Sequence, residues 1–264
     1  MGFTDSIKAN SAANKAYRLH AMGNQLLNTG KNSDAKKKHD EALQAYAQSY
    51  DLGCRKPQYM IGYAILLMRK GEFQRARDIM LDVNANPKLT KDEKYQLRIN
   101  YSVCQWKLGH LDTAIETIRR AEKSGHTSMI YTTLGIFLID KAIQTGDFSE
   151  AIAYNAEAME YDDEDASTLD NMGQMYLAMS NKDLENGKSD SAAENRAKAL
   201  DYFQKAHERK ETQVTTLYAL ALLLHENGQN DEARRYICEA EENLLSAVCP
   251  VSKEQILQLK AEIG

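Results

Sequence analysis

Apolar residues return every three or four positions along most of this chain. Met60, Tyr63, Ala64 and Leu67 form one such run, and Ala76, Met80 and Val83 form the next. That interval puts them on one face of an α-helix. No stretch of useful length alternates apolar and polar residues one by one, so no sheet is predicted. Between paired runs stands a recurring phrase: "KGEFQRAR" (70–77), "LGHLDTAI" (108–115), "TGDFSEAI" (145–152) and "NGQNDEAR" (227–234). Each has a glycine and, five positions on, an alanine. Three of the four have a bulky apolar residue two positions after the glycine.

The spacing has a steric cause. Two antiparallel helices joined by a short turn approach closely only where side chains are small. Ala64, Ser102 and Ala221 lie twelve residues before Ala76, Ala114 and Ala233, so each pair should face across a hairpin. The glycine ends the first helix, where a left-handed residue is needed. The bulky residue seals the turn. Seven residues after each alanine, two helical turns on, comes another slim residue: Val83, Ala121, Ala158 or Ala240. It admits the following hairpin.

This arrangement resembles the tetratricopeptide repeat, a helix-turn-helix unit of about 34 residues. Residues 57–90 carry Met60, Tyr63, Ala64, Leu67, Gly71, Phe73, Ala76 and Met80 in its frame. Residues 95–127 and 214–247 match as well, the latter through Leu217, Leu220, Ala221, Leu224, Gly228, Ala233 and Ile237. Two departures predict longer hairpins. Gly135 stands at the first small position of a fourth unit, but Ala151 follows sixteen residues later rather than twelve. That unit's first helix should therefore gain about one turn. In a fifth unit Gly173 and Ala199 are twenty-six apart, and the excess of fourteen over twelve is split evenly about Gly187. Both of its helices should gain about two turns. Laying "GNQLLNTGKNSDAKKKHDEALQAY" (23–46) along residues 180–203 gives a first unit of the same kind, with Ala16 opposite Ala42 and its tip at Gly30.

The resemblance implies one all-α domain over 1–264, an α-α superhelix of right-handed course. It has about six helix-turn-helix units, near 9–56, 57–90, 95–127, 128–165, 166–213 and 214–247. Ile256, Leu259 and Ile263 predict a C-terminal capping helix over 251–263. Such a helix hides the last apolar face from water.

Composition narrows the function. With 38 acidic against 33 basic residues the net charge is −5. That balance disfavours nucleic acid as a partner. No run approaches eighteen apolar residues, so no membrane span is expected, and the start of the sequence lacks a signal-peptide core. Cys54, Cys104, Cys238 and Cys249 show no paired spacing. Cys104 and Cys238 read as packing residues in a reducing cytoplasm. The six histidines (His20, His39, His110, His126, His207 and His225) show no ligand spacing and are expected at turns and solvated helix faces. No phosphate loop, zinc motif or nucleophile constellation is present. The expectation is therefore no enzyme, no metal and no cofactor. The acidic run Glu160–Asp165 suits a helix N-terminus.

Members of the resembled family bind peptides or protein segments along the face of their first helices. Carried over by position, that face comprises Ile61, Ile65, Gln96, Ile99, Asn100, Val103, Met129, Thr133, Ile136, Asn171, Gln174 and Tyr218. It holds no lysine or arginine. The Lys-Asn-Asn-Lys-Arg set with which some relatives grip a terminal carboxylate survives here only as Asn100. The expected partner is thus a protein or peptide with apolar side chains, received in a concave groove, or else these positions are core. The alternative is a self-assembling structural repeat protein, a homo-oligomer docked through its long hairpins.

Overall fold

The computed structural model describes residues 3–264, with side chains from residue 5 onward. The described residues form thirteen α-helices and no strand. In chain order they are α1 (Phe3–Asn28), α2 (Asn32–Asp51), α3 (Pro57–Arg69), α4 (Phe73–Asn84), α5 (Lys91–Lys107), α6 (Leu111–Glu122), α7 (Ser128–Thr145), α8 (Ser149–Tyr161), α9 (Ala166–Glu185), α10 (Ser189–Arg209), α11 (Val214–Glu226), α12 (Asn230–Asn243) and α13 (Lys253–Ile263). The chain divides into two compact units. One runs through Thr117 and includes Leu245–Val248; the other comprises Ile118–Leu244 and Cys249–Gly264.

Within the first unit each helix from α1 to α4 packs on its successor, and α1 and α5 both touch α3. The small residues lie where the helices meet: Ala16, Ala42, Ala64 and Ala76 are wholly buried. Around them a continuous core gathers Tyr46, Met60, Tyr63, Leu67, Met80 and Val83. Ala247 ties its short segment to this unit by donating its N–H to the Arg69 carbonyl, 3.1 Å away. The turn at Gly71 has φ 80°. Glycine adopts that conformation without penalty, and any other residue would be strained there.

The second unit repeats the scheme. Each helix from α7 to α13 packs on the next, and α9 touches both α7 and α11. Its core around Phe203, Leu217, Leu220, Leu223 and Ile237 is closed by Ile256, Leu259 and Ile263 of the capping helix α13. Ser252 and Gln255 fix the start of α13 by a reciprocal capping box. Burying a side chain such as Phe203 contributes about 1.5–3 kcal/mol.

Helix lengths follow the spacing of the small residues. α9 and α10 have 20 and 21 residues where α11 and α12 have 13 and 14. Two side chains report the registers of the long hairpins. Ser49 Oγ donates to the Ala9 carbonyl at 3.0 Å, in step with Ala16 facing Ala42. Ser180 Oγ donates to the Ala192 carbonyl at 2.8 Å, in step with Gly173 facing Ala199. The α7–α8 hairpin has the longer first helix that the spacing predicts, 18 residues in α7. Gly135 does not face Ala151: a Cβ on it would lie 2.5 Å from Asn155 Oδ1. The extra turn of α7 lies between Gly135 and the turn at Gly146, so its partner on α8 moves one turn onward too.

Candidate functional site

In the first unit α3 and α5 lie side by side and present neighbouring faces. Ile61 and Ile99 point inward and are buried, while Ile65 and Val103 are half-buried against the core. Gln96 is exposed, and Asn100 beside it donates its amide back to the Gln96 carbonyl at 2.8 Å. In the second unit the faces of α7, α9 and α11 carry a polar ladder. Asn171 donates to the Thr132 carbonyl at 2.9 Å and lies against Gly135, where no side chain stands in its way. Thr216 Oγ1 donates to Asp170 Oδ1 at 2.7 Å, joining α11 to α9. Burial pushes the Asp170 carboxyl up to about 6, against the pull of hydrogen bonds from Thr216, Thr215, Gln213 and Gln174. Thr133, Ile136, Gln174 and Tyr218 are half-buried, and Met129 is 51% exposed.

No protein-family model matches the chain, and no curated protein does. Solved structures match at low identity. A tetratricopeptide repeat protein of Thermus thermophilus, TTC0263, aligns over 79% of this chain and 98% of its own, with 18% identity and a TM-score of 0.55. The fold is that of the tetratricopeptide repeat. Human IFIT1, solved as a dimer with m7Gppp-AAAA, aligns over 77% of this chain and 46% of its own at 16% identity, with a TM-score of 0.59. Cut9, from the hetero-tetramer Cut9–Hcn1 of the APC/C, covers 97% of this chain and 47% of its own at 14% identity, with a TM-score of 0.52.

The tetratricopeptide frame shows which polar residues its helices use internally. Asn171 is buried in the hydrogen bond to Thr132, so its amide serves the fold. Asp165 accepts from the Thr168 N–H at 2.8 Å and caps α9. Cys104 is buried, and burial pushes its thiol up to about 12; Cys238 is half-buried. Two histidines depart from the expected solvated faces. His20 and His39 are both buried between α1, α2 and α3. Glycines make room for both rings, Gly23 against His39 and Gly62 near His20. Among the described residues no group of three or more histidine, cysteine or acidic side chains is placed to hold a metal ion, and no helix is long and apolar enough to cross a membrane.

Proposed function

We propose that this chain is a cytoplasmic protein-interaction scaffold, without catalytic chemistry, that receives a protein or peptide segment on its first-helix faces. The observation that carries this reading is the half-buried apolar pair Ile65 and Val103 on adjacent helices α3 and α5. Beside it stand an exposed amide at Gln96 and a second amide at Asn100. Apolar contact area next to amides suits a segment that brings apolar side chains and backbone groups to be bonded. In the second unit Met129, Thr133, Ile136, Gln174 and Tyr218 offer the same mixture; Ile61, Ile99 and Asn171 serve packing. A protein of the same fold, Cut9, assembles with Hcn1. The net charge of −5 argues against the RNA ligand seen with IFIT1. Replacing Ile65 and Val103 together by glutamate tests the reading. The expected outcome is an unchanged melting curve with loss of partners in affinity capture. Unfolding of the variant would place both residues in the core and end the proposal.

The second reading, self-association through the long hairpins, draws on Leu184, which is 53% exposed beside the Gly187 tip. A concentration-independent monomer mass by light scattering excludes it.

A further inference from the structure

The joint between the first long hairpin and α3 holds a cation without a counter-charge. Arg69, in the last turn of α3, reaches back to α1 and α2. Its Nη1 donates to Asn24 Oδ1 at 3.1 Å and lies 3.3 and 3.4 Å from the ring nitrogens of His39. Asn24 Oδ1 also lies 3.1 Å from His39 Nε2. His20 stands edge-on to His39, with ring centroids 5.5 Å apart. Arg69 Nη2 and Nε meet no acceptor, and the guanidinium meets no carboxylate within 4 Å, among the described residues. The acid beside His39, Asp40, is held by Lys70 and Lys36. Tyr46 is fully buried, and its hydroxyl has no partner. It comes close to His20 at Gly62, where a Cβ would be 2.6 Å from Tyr46 Oη and 3.4 Å from His20 Nδ1. The one acceptor oxygen that Arg69 meets here, Asn24 Oδ1, is neutral, and no group in the cluster brings negative charge to Arg69.

The second long hairpin shows what completes such a joint. Its landmarks follow those of the first at one constant offset: Ala42 to Ala199, Ala64 to Ala221, Gly71 to Gly228. At that offset His39 and Arg69 correspond to Arg196 and Glu226, and these two form an ion pair. The second joint therefore neutralises its own arginine. The first turns an arginine toward two imidazoles, which burial, and next the Arg69 charge, hold down at about 4 and hence neutral at pH 7. A partly buried guanidinium without an anion loses hydration with no Coulombic gain, and its free edge has the geometry that takes two oxygens at once.

We propose that the Arg69 joint is a binding site for an oxyanion, a carboxylate or phosphate group, gripped by the free Nη2–Nε edge of Arg69. The bound anion would stand near His39 and His20 and favour their protonated forms. The site lies between α1, α2 and α3 and is independent of the apolar first-helix faces.

The test uses the full chain at neutral pH, titrated with inorganic phosphate, with acetate and with chloride at matched ionic strength. Melting temperature and the histidine ring resonances are followed. The expected result is a saturable rise in melting temperature with phosphate or acetate but not chloride, with the titration midpoints of His20 and His39 moving up from about 4. A response to acetate alone identifies a carboxylate as the natural group, and a response to phosphate alone a phosphorylated one; either supports the site. The double variant H39R/R69E rebuilds the Arg–Glu pair of the second joint, so it should fold and lose the response. Equal effects of all three salts on the natural chain, or an undiminished response in the folded double variant, would overturn the proposal.

Discussion

The two long hairpins, α1–α2 and α9–α10, are built on one plan and finished with different chemistry. Both close on small residues, Ala16 with Ala42 and Gly173 with Ala199. Both place a large ring one turn beyond, Tyr46 in the first and Phe203 in the second, and both rings are fully buried. Their polar fittings diverge. In the first, Tyr59 Oη donates to Asn14 Oδ1 at 2.6 Å; at the matching place in the second, Thr216 reaches the buried carboxyl of Asp170. The first leaves Arg69 among histidines, while the second pairs Arg196 with Glu226. Packing positions are thus held in common because volume must be filled, whereas the polar positions differ, and in the first hairpin the buried Tyr46 hydroxyl goes without a partner.

The largest expected effect tests the shared plan. Tyr46→Ala and Phe203→Ala should each destabilise the protein by about 3–5 kcal/mol in denaturant titrations. A small loss at one of them would show that the two hairpins are not packed alike. Next come Ala42→Leu and Ala199→Leu, which force extra volume into closed helix contacts and should cost about 1–3 kcal/mol each. If only one lowers the melting temperature, the common register fails.

The pH response should separate the two joints. His20 and His39 have folded values near 4, below the ordinary 6.5, so the unfolded chain takes up protons first. Their contribution is complete above pH 6.5 and is lost as acid is added down to about 4. Asp170 runs the other way. Raised from 3.8 to about 6, it contributes fully below 3.8, and that contribution is lost as pH rises through 6. Asp170→Asn should therefore gain on the order of 1 kcal/mol at about pH 7 and little at about pH 3, since one pKa unit is about 1.4 kcal/mol and the hydrogen bond from Thr216 can be kept. Chemical denaturation at the two pH values checks it; an equal change at both would remove the carboxyl charge as the cause. The smallest effect belongs to Tyr46→Phe, which makes the first hairpin resemble the second and deletes a buried hydroxyl that has no partner. It should change stability by less than about 1 kcal/mol, toward greater stability, in thermal melts.

The turns, the helix pairs and the extra length of α9 and α10 were legible because they are local. A glycine, an alanine five positions on and a small residue twelve before it encode a hairpin without reference to the rest of the chain. The partner of Gly135 on α8 is harder to read, for an equally local reason. Counting from the alanine hides an added turn, whereas counting from Gly146 would have led to Asn155. Burial of His20 and His39 was not legible. It depends on room left by Gly23 on their own hairpin and by Gly62 on the next, and no periodicity marks a polar ring that enters such a space. The apolar stripe on α3 and α5 could not be divided in advance either, since Ile61 and Ile65, or Ile99 and Val103, stand four residues apart on one face. Their different exposure comes from neighbouring helices.

The constant offset that carries residues 9–90 onto 166–247 has a consequence for how such a chain can change. With two copies of one joint, a charge altered in one leaves the pairing in the other untouched. Exchanging the two segments would keep every turn in place. New recognition chemistry can therefore be tried in one copy while its twin keeps the Arg196–Glu226 pairing.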